Sequence, residues 1–218
     1  MVMPPSTSSY SGYSQCYVSV DCAIFGFRDG HLQILVHQRP YNPGLGELSL
    51  IGGFVRKDED LDTAAERILR EFTGLDHVYM QQLAAFGDVE RDPGERVISV
   101  AYYALINTED YNERLLQKTG AKWVDVDHVP HLCFDHNQMV NKARRVISEE
   151  IKNTAVGGKL LPRYFTLTLL QSLYESILGQ QMDKRNFRRS IIEKDYIHAT
   201  KLKDKGSSRR GAILYEFK

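Results

Sequence analysis

An α/β fold for the first two thirds of the chain, followed by a smaller helical domain that ends in a β-hairpin, is what this amino-acid sequence predicts. Three observations carry that class. Apolar, β-branched runs alternate with two stretches of helical periodicity as far as residue 153. The segment TAVGGK at 154–159 then interrupts the pattern with paired glycines, which end a helix, loosen the chain and mark a domain boundary. Charge divides at the same place. Residues 159–218 hold 13 Lys/Arg against 6 Asp/Glu, so the totals of 28 and 28 leave 15 against 22 for residues 1–158. A net charge of zero therefore hides an acidic body and a basic end, the distribution expected when only the end meets a polyanion.

Taken in order, residues 1–15 (MVMPPSTSSYSGYSQ) are rich in Pro, Ser, Tyr and Gly. They have neither a basic start nor an apolar centre, and read as a disordered tail rather than a secretory signal. Residues 17–27 and 32–39 are two strands, and Asp29-Gly30 between them supplies the positive-φ pair of a tight hairpin. Residues 47–55 (ELSLIGGFV) form a short strand that breaks at two glycines. Leu61, Ala64, Ala65, Ile68, Leu69 and Phe72 recur at helical spacing through 60–73, and Gly74 is placed to cap the end. Strands follow at about 78–87 and 96–106, joined by the polar loop GDVERDPGER; KWVDVDHV adds another before a helix over about 136–153.

Beyond the boundary, Thr166 or Thr168 can cap a helix carrying Leu167, Leu170, Leu173, Tyr174 and Ile177, which Gly179 ends. Asp183 is a ready cap for the next helix, whose apolar face is Phe187, Ile191 and Ile192. Two strands around a glycine-tipped basic turn complete the chain.

No run approaches the ~18 apolar residues needed to span a bilayer. Cys16, Cys22 and Cys133 form no metal-ligand spacing and cannot all pair with one another, which fits a reducing, cytoplasmic setting.

Helix, turn and a helix with a cationic first half is the arrangement that sets side chains on base edges in a major groove. Lys184, Arg185, Asn186 and Arg188, with Arg189 beside them, are the candidates for base or near-base contact. Lys203, Lys205, Ser207, Arg209 and Arg210 surround the hairpin turn and are placed to neutralise phosphates, as the wing of a winged helix-turn-helix does. The competing reading is a dimerisation module whose basic face is incidental.

The α/β part contains one motif of fixed spacing. Five residues separate Gly53 from Glu59 and seven separate Glu59 from Arg67; Leu69, Glu71, Gly74 and Leu75 follow. This resembles the Nudix box, which runs Arg-Glu-aliphatic-any-Glu-Glu-any-Gly-aliphatic after that glycine and glutamate. The resemblance implies an α/β/α sandwich around a mixed sheet for about residues 16–153. In that family the three helix acids stand at i, i+3 and i+4 and hold magnesium against a diphosphate. Here the i and i+4 acids are Ile68 and Phe72, and only Glu71 remains. One carboxylate does not supply the several oxygens that a hard dication needs, so neither a metal nor another cofactor is expected, and the domain is expected to bind without cutting. Relocated ligands, Asp88, Glu90, Asp92 and Glu95, are the alternative. Ile68 and Phe72 also extend the apolar stripe, so the helix itself reads equally as scaffold.

Arg39, Glu47, Asp88, Arg91, Asp92, Glu95, Arg96, Asp135 and His136 are the polar candidates for lining a ligand pocket. The charges of the 87–96 loop read either as partners for sugar hydroxyls or as a solvated ion-pair lattice. His136 reads as a cap or packing residue rather than a metal ligand.

A broken Nudix box joined to LPRYFTLTLLQSLYESILG, MDKRNFRR and a terminal LYEF resembles the Nudix-related transcriptional regulators, the NrtR family. The resemblance covers roughly residues 16–217. It implies a homodimer that binds a palindromic operator and changes its DNA affinity when a small molecule enters the Nudix pocket. LSLIGGFV, RDPGERV and SVAYYALIN resemble the sugar-responsive AraR-type group of Bacteroidetes, so a pentose such as L-arabinose or D-xylose is the expected effector. The alternatives are ADP-ribose, as in members controlling NAD metabolism; a residual hydrolase of nucleoside diphosphate derivatives; and a non-catalytic interaction protein.

Overall fold

The structure, a computed structural model, describes residues 12–110, 113–204 and 211–218. Its first domain contains β1 (Tyr17–Arg28), β2 (His31–Gln38), β3 (Leu48–Phe54), α1 (Leu61–Thr73), β4 (Tyr79–Phe86), β5 (Val97–Ile106), α2 (Glu113–Thr119), β6 (Ala121–Asp125) and α3 (His136–Asn153). The strands form one six-stranded sheet in the order β4-β5-β1-β3-β2-β6. β1 and β5 run parallel over the whole of Tyr17–Gly26 and the other pairs are antiparallel, which makes the sheet mixed.

The central strand β1 is buried without a break from Ser19 to Phe27 because both faces of the sheet are covered. Ala23, Phe25 and Phe27 pack with Met139, Val140, Ala143 and Ile147 of α3. On the other face Val20, Cys22 and Ile24 pack with Ala64, Ala65, Ile68 and Leu69 of α1. Alternate side chains of one strand thus supply two cores, and the result is the α/β/α sandwich.

Local chemistry sets the ends. Asp29 and Gly30 take φ of 53° and 83° at the β1–β2 turn. Asp60 accepts from the Thr63 backbone N–H at 2.8 Å to start α1, and Gly74 closes it at φ 75°. Two features depart from the sequence patterns. α2 had no clear periodic signal, being only 7 residues long. KWVDVDHV divides into β6 and a 3-10 turn, Val126–His128, because the Asp125 carboxylate accepts from the Asp127 N–H and turns the backbone.

The second domain contains α4 (Leu167–Leu178), α5 (Lys184–Glu193), β7 (Ile197–Asp204) and β8 (Ala212–Phe217). Thr166 and Asp183 cap the two helices through the backbone N–H groups of Leu169 and Asn186. Phe165 exchanges backbone hydrogen bonds of 3.0 and 2.8 Å with Tyr215, adding a third short edge to the β7–β8 hairpin. Phe187 and Ile191 are buried, whereas Ile192, expected on the same apolar face, is 54% exposed. At 100° per residue it has turned away from Phe187 toward solvent.

The expected loose linker is not loose. Val156–Lys159 form a 3-10 turn in which Val156 and Gly157 are buried. A Cβ on Gly158 would lie 2.8 Å from Phe217 Cδ2, so this glycine permits close packing rather than slack. One apolar cluster runs continuously from Phe25 and Ile147 through Leu160 to Leu170, Phe187 and Ile197. Among the described residues no helix is long and apolar enough to cross a membrane.

Candidate functional site

The box residues lie on α1 and the turn before it. Arg67 reaches back to Glu59 with Nη2 at 2.6 Å and Nε at 2.9 Å, and to the Phe54 carbonyl at 3.2 Å. Glu59 also accepts from the Arg56 N–H, and these bonds hold its carboxyl well down, at about 2. Glu59 and Arg67 therefore clamp the 54–60 loop to the helix. Ile68 is buried, with Cδ1 3.1 Å from where a Cβ on Gly53 would stand. Phe72 packs edge-on against His37 at 5.0 Å. Glu71, 51% exposed at its side chain, ion-pairs with Arg67 and Arg56.

This donor set does not fit magnesium: hydrocarbon stands at two ligand positions and the third carboxylate is committed to arginines. The loop acids do not replace it. Asp88 accepts from the Glu90 N–H and Asp92 from the Gly94 N–H, while Glu95 is exposed. Among the described residues no three of His, Cys, Asp and Glu converge as a metal-holding group.

On the sheet next to Gly52 and Gly53 lies a narrow cleft lined by Asp21, His37, Arg39, Arg91, Phe134 and His136, among others. A wider, more open cleft adjoins it through Arg91 and Phe134 and adds Glu47, Asp88 and Asp135. The floor is a buried polar network. Arg91 makes two parallel bonds to Asp135, at 2.7 and 3.0 Å, and lies 3.8 Å from Asp21. Burial opposes the Arg91 charge, but the bonds from Asp135 and the charges of both carboxylates outweigh it and raise its pKa. Asp21 also accepts from Ser99 Oγ. A Cβ on Gly52 would collide with Asp21 Oδ1 at 2.0 Å, so the carboxylate requires a glycine opposite.

His136 accepts the Leu50 N–H at Nδ1, 3.1 Å away, which places its proton on Nε2, facing Asp21 Oδ1 at 3.7 Å. Burial holds its pKa below the ordinary value, so it is neutral. Burial and then Arg39 bring His37 down to about 4.

The structure gathers Arg39, Glu47, Asp88, Arg91, Asp92, Asp135 and His136 around these two clefts. It leaves out Glu95 and Arg96; Arg96 instead closes the loop by donating to the Gly87 and Asp88 carbonyls. Arg91 and Asp135 neutralise each other as structure, closer to the ion-pair reading than to a pair of open ligand contacts. Asp21, His37, Ser99, Tyr41 and Phe134 belong to the site and were not singled out by sequence. Asp21 did leave a signal: it is the one charge inside an otherwise apolar run, YVSVDCAIFGF. The aromatic residues left none.

In the second domain, Lys184, Arg185, Asn186 and Arg189 are exposed on α5, and Arg188 is half-buried. Phe187 anchors the helix edge-on against Tyr174 at 5.2 Å. Arg185, Arg189 and Ile192 fall at i, i+4 and i+7, on the stripe facing away from that anchor. Lys203 is exposed on β7. Lys205, Ser207, Arg209 and Arg210 lie outside the described residues.

Comparison with known proteins matches both parts. The Nudix domain model covers residues 18–149, and the NrtR DNA-binding winged helix domain model covers residues 157–217. An ADPR-responsive transcriptional repressor, NtrR, of Acinetobacter baylyi is 37% identical over 211 residues, which is 95% of this chain and 84% of that protein. The chain belongs to the NrtR family. NrtR of Shewanella oneidensis in complex with a 27mer DNA superposes with TM-score 0.83 at 32% identity, over 92% of this chain and 93% of that one. The Nudix domain of the same NrtR, complexed with ADP ribose, aligns with 65% of this chain and 95% of its own at 29% identity, TM-score 0.57. As an NrtR-family member the protein is a DNA-binding transcriptional regulator with a Nudix domain. None of these relatives is described as sugar-responsive, so the expected AraR-type grouping finds no support among them.

Proposed function

We propose that this protein binds an operator as a dimer and changes its DNA affinity when ADP-ribose occupies the Nudix cleft. The observation that carries this reading is the end-to-end likeness to a repressor described as ADPR-responsive and to an NrtR captured on DNA. The complex of a related Nudix domain with ADP ribose supports the effector. It displaces the pentose reading, for which the sequence offered only local resemblance. The degenerate box supports binding without turnover: α1 keeps its clamp, Glu59 to Arg67, and with it the shape of the cleft, but lacks the carboxylates for metal-assisted hydrolysis. A two-fold dimer would present its two α5 helices about 34 Å apart, one turn of DNA.

Fluorescence anisotropy on a DNA fragment from upstream of the protein's own gene cluster, at two salt concentrations, tests the reading. Tight binding that weakens steeply with salt is expected, and ADP-ribose should shift it by roughly 5- to 150-fold while L-arabinose and D-xylose leave it unchanged. Arg185→Ala should relax discrimination at one base position, whereas Lys203→Ala should weaken every sequence alike and lower the salt slope by about one. A response to a pentose instead would reinstate the sugar reading. Absence of DNA binding at low salt would sink the regulator reading.

A further inference from the structure

We infer that the cleft takes a diphosphate without any divalent cation, and that Arg39 supplies the charge magnesium supplies in metal-dependent Nudix proteins. The inference rests on the proposed effector and goes beyond it by naming how the pyrophosphate is held.

The three arginines near the clefts are differently committed. Arg91 is spent on Asp135 and Asp21, and Arg96 on backbone carbonyls. Arg39 donates only its Nε, to the Pro43 carbonyl at 2.8 Å. Among the described residues its two terminal nitrogens have no hydrogen-bond or ion-pair partner, although the side chain is half-buried and lines the cleft. A half-buried guanidinium with its fork unpaired is a group built for a planar or tetrahedral anion.

The side chain is also held in place. Its guanidinium carbon lies 4.8 Å from the Tyr41 ring centre and 4.9 Å from that of Phe134. The 39–47 loop folds over the stem: the Gly46 N–H donates to the Arg39 carbonyl, the Arg39 N–H to the Glu47 carbonyl, and Gly44 approaches closely enough that a Cβ there would lie 3.3 Å from Arg39 Cδ. Phe134 itself sits at φ 57°, a left-handed conformation that costs a bulky residue energy and that concentrates at ligand clamps. That strain places its ring on Arg39 and turns the chain into Asp135 and α3.

The same cleft is floored by Gly52 and Gly53, and beneath Gly53 lies the Ile68 methyl in place of a carboxylate. A diphosphate entering there meets no carboxylate from α1, and a held cation from the 39–47 loop. Two of the three helix acids are absent, and the cleft's own Asp21 is engaged by Ser99 Oγ and faces Arg91, so direct ion pairing with Arg39 becomes the favourable arrangement.

The test is calorimetric titration of the full chain with ADP-ribose, once in excess Mg²⁺ and once in EDTA. The two dissociation constants should agree within about twofold. Arg39→Gln, which keeps a planar group between the rings, should weaken binding by roughly 10- to 100-fold in both buffers. Arg39→Lys keeps the charge but loses the fork and should recover only part of that loss. Circular-dichroism melts establish that each variant is folded. Binding that needs Mg²⁺, or an Arg39→Gln variant that binds like the wild type, would overturn the inference while leaving ADP-ribose as effector. No binding of ADP-ribose in either buffer would overturn the effector as well.

Discussion

At Asp21 a carboxylate stands in the middle of a buried strand, and the residues around it are chosen to tolerate it. Ser99 donates to it, Arg91 approaches it, His136 presents an N–H toward it and Gly52 makes room. Two of the histidines in this network are neutral for the same cause, burial, which holds His37 at about 4 and His136 below its ordinary value. Below pH ~6.5 the unfolded chain binds protons at these positions that the folded chain does not. Stability should therefore fall as pH drops from about 6.5 toward 4, by on the order of 2 kcal/mol for His37 alone. Glu59, held at about 2 against an ordinary 4.5, keeps its contribution down to about pH 4.5 and loses it as pH falls toward 2. Urea midpoints at pH 7 and pH 5 measure the histidine effect, and His37→Asn should shrink the difference. Equal midpoints for the wild type would show that the two rings are not held neutral.

Helix α1 is the element that carries the frame of the Nudix box with hydrocarbon at two of its acid positions. Its cap at Asp60, its αL end at Gly74 and the Glu59–Arg67 clamp hold that frame, and its inward positions are core. Restoring the missing acids is then a stability experiment. Ile68→Glu would place a carboxylate at a site 2% exposed and beside the Gly53 backbone, costing several kcal/mol unless it protonates. Phe72→Glu sits half-buried at the edge and should cost less, about 1–2 kcal/mol through the lost contact with His37. Thermal melts of the two single variants decide the order. If Ile68→Glu melts like the wild type, the interior packing assigned to this helix is wrong.

Across the whole molecule, the two domains share one packed core and a set of polar ties. The Leu32 N–H donates to Ser176 Oγ at 2.7 Å, Ser148 Oγ donates to the Ile177 carbonyl at 3.2 Å, and Tyr196 Oη donates to the Asn153 carbonyl at 2.7 Å. Two of these ties are to α3, whose other end carries Asp135 and His136 in the cleft. A rigid helix with one end at each site is the kind of connection through which occupancy of one can bias the other. The glycines at 157–158 are part of that packing. Gly158→Ala should cost about 1–3 kcal/mol, because its Cβ must displace the Phe217 ring. A hinge would give the opposite result, a small gain in stability of under about 1 kcal/mol from a stiffer unfolded chain.

The sequence by itself determined the elements and the chemistry that each carries: the hairpin at Asp29-Gly30, the box spacing, the two lost acids, the caps at Asp60, Thr166 and Asp183, and the cationic face of α5. These are local signals, set by spacings of a few residues and by backbone preferences that neighbouring side chains report. Only the tertiary structure decided which polar residues share a cleft and which of them are already spent. Asp21 and Ser99 are 78 positions apart, and Arg91 and Asp135 are 44 apart. No periodicity within a segment encodes such pairings, which arise when parallel β1 and β5 and the start of α3 are brought together by burial of apolar area elsewhere. The glycine pair at 157–158 shows the same division, since paired glycines signal either slack or close packing, and the distance to Phe217 chooses between them.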